Sequence, residues 1–166
     1  MNVALLSSDY NVRRLTIADV QDIYSLCTQN ESYYRYCPPF VTKQSILNDM
    51  KALPDGKDIS DKYYIGYYDG KELIAVMDLI MSYPKEQNAF IGFFMTSLSI
   101  QNTGIGSCII DELCQYMKKS GITGLRLGWA KGNLHAEHFW HKNGFQETGI
   151  TYNAGSYTVV LANRNL

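Results

Sequence analysis

The segment Gln101-Asn-Thr-Gly-Ile-Gly106 sits between an apolar run and a helix-like run, and its residue types suit it to hold a charged, oxygen-rich ligand. Glycine at Gly104 and Gly106 lets the backbone approach a ligand closely, and the first turn of the following helix leaves N–H groups without intrahelical partners. Those donors, with the positive end of the helix dipole, favour phosphate oxygens. Two common phosphate motifs do not fit. A nucleotide P-loop needs Gly-Lys-Ser/Thr where this chain has Gly106-Ser107-Cys108. A dinucleotide fingerprint needs a third glycine where Ile109 stands, and an acidic residue at the end of the next strand, which the run Leu125 to Ala130 lacks.

Other chemistry-bearing residues carry weaker signals. Asp78 interrupts the apolar run Ile74-Ala-Val-Met-Asp-Leu-Ile80, where a carboxylate is costly unless paired. It reads as structural and satisfied, with a catalytic role as the alternative. His135, His138 and His141 recur every third residue, but a helix binds metal through His at i and i+4, so a solvated face is the reading and no metal is expected. Cys27, Cys37, Cys108 and Cys114 form no CxxC pair, which points to a reducing compartment. The chain has 13 tyrosines, many bunched between Tyr24 and Tyr83, an excess that calls for a role.

The elements that must position these residues follow from periodicity. At 166 residues and 46% hydrophobic, the chain is long enough for one domain to bury a core without a metal or disulfide staple. Its 15 basic and 16 acidic residues leave no electrostatic footprint for nucleic acid or an anionic membrane. No run is long and apolar enough to span a bilayer, and the N-terminus lacks a secretion signal, so a cytoplasmic protein is expected. A short strand over Val12 to Leu15 leads to a helix opened by Thr16 and carrying Val20, Ile23, Leu26 and Cys27. Two prolines forbid a continuous helix through Glu31 to Phe40, and Thr42 caps a second helix to about Leu53. Strands are expected over Tyr63 to Tyr68 and Glu72 to Met81, joined by a tight turn at Asp69-Gly70, and then over Ala89 to Met95. A helix from Gly104 to Lys119, a strand to Ala130, a helix from Asn133 to Gly144 and two closing strands complete a β-α-α-β-β-β-α-β-α-β-β order. This α/β order predicts a mixed central sheet of about seven strands flanked by four helices.

That order, together with Gln101-x-x-Gly104-x-Gly106, resembles the GCN5-related N-acetyltransferase (GNAT) family, whose signature occupies this strand-to-helix junction. A second match strengthens it: Asn133-x-x-Ala136-x-x-Phe139-Trp140-x-Lys142-x-Gly144-Phe145 is similar to the family's later motif. The resemblance spans residues 10–163 and implies an acyl-CoA N-acyltransferase fold with acetyl-CoA as co-substrate. It implies that backbone amides of Gln101, Asn102, Thr103, Gly104, Ile105, Gly106 and Ser107 cradle the pyrophosphate. By the same resemblance, Met95 and Thr96 would pair with the pantetheine arm, and Asn133, Phe139 and Lys142 would approach the cofactor. Asn133 reads equally well as a helix cap.

Acyl transfer to an amine needs a neutral nitrogen, an oxyanion donor and a route for the leaving thiolate. The resemblance puts the oxyanion donor near Thr96. It puts Trp140 where many relatives carry a tyrosine acid, and an indole N–H cannot serve as a general acid at neutral pH. The carboxylate base of some relatives is absent from Ala89 to Met95, which leaves Asp78 as the nearest candidate. Glu31, Tyr33, Tyr34 and Tyr36 fall where the family places acceptor contacts, as does Glu86. The expected function is an N-acetyltransferase acting on a primary amine of a small molecule or peptide by direct attack in a ternary complex, with a homodimer left open. The alternative is a non-catalytic acyl-CoA-binding module of the same fold.

Overall fold

The computed structural model describes residues 1–166. Its strands are β1 (Asn11–Arg14), β2 (Lys62–Asp69), β3 (Glu72–Met81), β4 (Asn88–Thr96), β5 (Gly124–Ala130), β6 (Gln146–Asn153) and β7 (Thr158–Asn165). They form one sheet in the order β1-β2-β3-β4-β5-β7-β6, in which only β4 and β5 run parallel. The helices are α1 (Val20–Thr28), α2 (Glu31–Tyr36), α3 (Lys43–Asp49), α4 (Ile105–Lys119) and α5 (Leu134–Lys142). No helix is long and apolar enough to cross a membrane.

The fifth helix corrects the expectation of four. Pro38 and Pro39 bar helix only from Cys37 onward, because the residue before a proline is pushed out of the helical region. The residues ahead of them, Glu31–Tyr36, are free to close one helical turn and more. Helix α3 starts at the expected cap, where the Thr42 hydroxyl accepts from Ser45 N at 3.0 Å. It ends at Asp49, short of Leu53. Pro54 disfavours helix at Leu53, and the Ala52 carbonyl is taken by the Lys62 ammonium at 2.9 Å. The β2–β3 turn is built on Gly70-Lys71, one residue later than expected, since Asp69 still pairs with Glu72 and Gly70 takes φ 57°.

Both faces of the sheet are covered, which explains why β3 reads as an almost unbroken apolar run. On one face α4 and α5 pack Ile109, Ile110, Leu113, Met117 and Trp140 against Ile65, Tyr67, Met77, Leu79, Ile91 and Leu127. On the other, α1 and α3 pack Val20, Ile23, Leu26, Cys27 and Ile46 against Tyr64, Tyr68, Val76 and Met95. The α1 entry is fixed by Thr16 and Asp19. Thr16 N donates to the Asp19 carboxylate at 2.7 Å, and Arg13 clamps the same carboxylate at 2.6 and 3.1 Å. The guanidinium holds the Asp19 carboxyl down at about 2.

Two irregularities of β4 open the sheet and set which way its residues face. Its pairing with β5 covers only Asn88 to Ile91 against Gly124 to Leu127, and beyond that the two strands separate. On its other edge Ile91 pairs with Leu79 and Phe93 with Asp78, so Gly92 is an extra, bulged residue. The bulge changes the phase of the strand: Ile91 faces α4 and α5, whereas Phe93 and Met95 face α1 and α3. A side chain at Gly92 would displace Asp78, because its Cβ would lie 2.7 Å from the carboxylate oxygen that Lys62 holds.

Candidate active site

Where β4 and β5 part, a cleft of about 760 Å³ opens through the sheet. Its walls include Phe94, Phe139 and Trp140 from the α4/α5 side and Tyr33 and Phe93 from the α1/α3 side. Along β4, antiparallel alternation decides which backbone groups are available. Met95 stands opposite Val76, and Ser97 N donates to Ile74 O at 2.8 Å, so Met95 and Ser97 spend their polar groups on β3. Phe94 and Thr96 therefore point theirs into the cleft. This corrects the expectation for Met95, which lines the wall but offers no free backbone group, and it adds Phe94, whose role depends on the bulge phase and is invisible in sequence.

The Thr96 carbonyl is already occupied. Asn30 Nδ2 donates to it at 3.2 Å and Gln101 Nε2 approaches it at 3.4 Å, while Gln101 Nε2 also donates to Asn30 Oδ1 at 2.7 Å. Asn30, only 7% exposed, follows α1 and anchors back to Leu26 O at 3.1 Å. The Gln101 side chain is thus a structural brace, and Thr96 presents its N–H alone. No spacing in the sequence announces Asn30.

Beyond β4 the glycine turn supplies further donors. Asn102 and Gly104 take left-handed φ values of 61° and 93°, the second of which only glycine adopts easily. The N–H groups of Gln101, Thr103, Ser107 and Cys108 are spent on the carbonyls of Leu98, Ile100 and, for the last two, Gly104, and that of Ile105 reaches the Thr103 hydroxyl at 3.4 Å. Those of Asn102, Gly104 and Gly106 have no partner. Gly106 lies over Phe139 and Thr96, at 3.4 and 3.7 Å from where its Cβ would be. The open donors of β4 thus run on into three unpaired amides at the start of α4, an arrangement suited to an extended amide-bearing chain ending in phosphates.

Helix α5 closes this half. Asn133 caps it, its Oδ1 accepting from Ala136 N at 3.2 Å, and Lys142 lines the cleft near its far end. Trp140 is 7% exposed and packs edge-on to Phe139 and Phe145 at 4.9 and 5.2 Å. It is wall and core together. His135 and His138 line the cleft, but His141 leaves it and comes within 3.6 Å of Glu147 on the surface, with Glu137 nearby.

The opposite half is aromatic. Helix α2 contributes Tyr33, Tyr36 and the adjoining Cys37, β4 contributes Phe90 and Phe93, and the β6–β7 hairpin contributes Tyr152 and Tyr157. Tyr33 meets Phe93 edge-on at 6.0 Å. The hairpin reaches the α2 end, where Ser156 Oγ donates to Pro38 O at 3.4 Å and the Cys37 thiol lies between the Tyr33 and Tyr157 hydroxyls. Burial pushes the Tyr33 phenol well up, and burial also raises Tyr152 and Tyr157. At neutral pH all three are proton donors rather than phenolates.

Four expected acceptor or catalytic residues lie elsewhere. Glu31 is exposed outside the cleft, and Tyr34 turns under α2 to meet Phe40 at 4.9 Å and the Cys27 thiol. Asp78 is buried against Lys62 Nζ at 2.7 Å and does not line the cleft. Burial pushes its carboxyl up, and the Lys62 ammonium opposes that rise. Glu86 is likewise outside. Tyr152 and Tyr157 carry no signal in the sequence, because they sit in strand-like runs outside both motifs.

Solved structures share this architecture at low sequence identity. An acetyltransferase from Thermus thermophilus superimposes with a TM-score of 0.73 at 17% identity, over 95% of this chain and 97% of that one. The PaiA N-acetyltransferase from Thermoplasma acidophilum, solved in complex with coenzyme A, gives 0.67 at 19% identity over 95% and 99%. The ribosomal-protein-S18-alanine N-acetyltransferase from Escherichia coli gives 0.68 at 12% identity over 94% and 93%. No curated protein matches the sequence. Residues 18–145 match the Acetyltransferase (GNAT) family, and with that match the splayed strands and glycine turn have their explanation: the chain belongs to the GNAT acetyltransferases.

Proposed function

We propose that the protein transfers an acetyl group from acetyl-CoA to a primary amine in a ternary complex. The observation that carries this reading is the continuous line of donors from Phe94 and Thr96 on β4 to the unpaired amides of Asn102, Gly104 and Gly106. Phe94 and Thr96 would hold the pantetheine amides, the turn would hold the pyrophosphate, and Lys142 is a cation on the same side. The CoA thioester supplies an activated acyl carbon. The coenzyme A bound to the Thermoplasma relative lends this support without assigning residues.

The remaining steps fall to this chain's own groups. An amine nitrogen enters from the aromatic half, loses its ammonium proton to solvent and attacks the acyl carbon, forming an N–C bond and a tetrahedral oxyanion; the nitrogen then gives up a second proton to solvent as the C–S bond breaks and the thiolate leaves. A β4 N–H, that of Phe94 or Thr96, is placed to steady the charge on the carbonyl oxygen. Trp140 is an apolar wall and takes no part in proton transfer. The phenols of Tyr33, Tyr36, Tyr152 and Tyr157 are the available donors toward a leaving thiolate.

One observation favours the second reading, an acyl-CoA-binding module without turnover: no carboxylate lines the cleft to act as base. The readings separate in one assay. Release of free thiol from acetyl-CoA across a panel of amines, well above solvent hydrolysis, supports the transferase. Calorimetric CoA binding with no release for any amine supports the module.

A further inference from the structure

We infer that the acceptor is a monoamine carried on an aromatic or apolar body, with neither a carboxylate nor a second ammonium. The inference rests on the transferase reading above and names the substrate class of that same cleft. It starts from what the acceptor half is made of. Tyr33, Tyr36, Phe93, Tyr152 and Tyr157 converge on it from three separate segments. No aspartate, glutamate or arginine lines any part of the cleft. Its only ionisable nitrogen groups, Lys142, His135 and His138, all lie on α5 at the cofactor half.

Charge balance then selects the acceptor. A polyamine or lysine would bring a second ammonium into a site with no counter-charge, and losing hydration without a partner is costly. A free amino acid would bring a carboxylate with no arginine to receive it. A single ammonium meets ring faces, which attract cations through the ring quadrupole. An aromatic or aliphatic body covers the remaining apolar wall. Reactivity points the same way. With no carboxylate in the cleft and both of its histidines on the cofactor half, a nitrogen in the aromatic half loses its proton to solvent, which favours amines of low pKa. An α-amino group with pKa near ~8 is about half neutral at pH 8, whereas an alkylamine near ~10.4 is less than about 1% neutral.

The test compares 2-phenylethylamine, phenylalanine amide, phenylalanine and spermidine as acceptors at saturating acetyl-CoA. The expected kcat/KM is at least about tenfold higher for the amide and for phenylethylamine than for phenylalanine or spermidine, with the amide leading. Spermidine or phenylalanine equal to or better than the two aromatic monoamines overturns the inference and leaves the transferase reading standing. If no amine releases thiol, the transferase reading fails instead. The inference is then decided by titrating the same four compounds into the CoA complex, where tighter binding of spermidine or phenylalanine overturns it and tighter binding of the aromatic monoamines supports it. A second arm introduces the missing charge with Tyr152→Glu at the exposed rim, folding being checked by CoA titration. Its ratio of spermidine to phenylethylamine activity is expected to rise about tenfold, and an unchanged ratio counts against charge exclusion as the selecting principle.

Discussion

The two halves of the cleft are built from different materials. On the α4/α5 side the open polar groups are backbone amides, those of Phe94 and Thr96 and the three left without partners by the glycine turn. On the α2 side they are aromatic side chains from α2, β4 and the β6–β7 hairpin. A backbone site requires only that φ and ψ be right, so it tolerates wide change in sequence provided the glycine and the bulge persist. A side-chain site is rewritten by any substitution that changes ring or charge. The fold is shared with acetyltransferases at 12–19% identity, and under the proposed function the aromatic half is the part where a substitution would redirect acceptor choice.

Substitutions on either side break or sharpen this contrast. The largest effect is expected at Gly104. Forcing a β-branched residue to φ 93° costs on the order of 1–3 kcal/mol, so Gly104→Val should weaken CoA binding about 10- to 100-fold by calorimetry while the aromatic half is untouched. No Cβ clash adds to this, since nothing lies within 4 Å of that position, and unchanged affinity would show that the turn is not the phosphate site. Next comes Asn30, which ties α1 to both β4 and the turn. Asn30→Ala leaves the Thr96 carbonyl and the Gln101 amide with only their long 3.4 Å contact to each other, at a cost of about 1–3 kcal/mol. The expected result is a fall in Tm and a rise of roughly fivefold in KM for acetyl-CoA; a rise confined to the amine KM would put the brace on the other half.

Trp140→Phe should do less. It keeps an aromatic wall between Phe94, Phe139 and Phe145, and steady-state kcat is expected to stay within about threefold because an indole N–H does not move protons. A loss of a hundredfold or more would return Trp140 to the chemistry. The smallest effect on the cleft is expected from Asp19→Ala, distant from both halves. It removes a cap and a clamped carboxylate, costing about 1–2 kcal/mol of stability at pH 7 and leaving CoA affinity unchanged. The Asp19 carboxyl is held down at about 2 in the folded chain, below its ordinary 3.8. Its stabilisation is therefore complete above about pH 4 and lost as pH falls through 2, so denaturation curves of the two proteins should converge at that acid limit.

What could be read from the sequence follows the same division. The glycine turn, the Thr16 and Thr42 caps and the β2–β3 hairpin are local: each is set by residues a few positions apart, and each lies where periodicity and turn chemistry put it, to within a residue. The cofactor half inherits that legibility because it is one strand, one turn and one helix in succession. Asn30, Tyr152 and Tyr157 come to the cleft from segments more than a hundred residues apart, and nothing in their own surroundings marks them. Proximity alone places Glu31 and Tyr34 beside Tyr33 and Tyr36. A helix through Glu31–Tyr36 turns neighbours to different sides, and of its three tyrosines Tyr33 and Tyr36, three residues apart, share the cleft while Tyr34 does not.

The bulge at Gly92 acts on all of this as a phase shift. A strand has period two, so looping one residue out of the pairing exchanges inside and outside for everything after it. With Gly92 bulged out, the amides of Phe94 and Thr96 open into the cleft and Met95 is buried under α1 and α3. Draw Gly92 into regular pairing with Asp78 and the same sequence would hand those donors to β3 and turn Met95 toward α4. The line of donors that meets the glycine turn is thus less a set of chosen residues than a count, odd instead of even, kept by one position that touches none of the chemistry and carries no side chain.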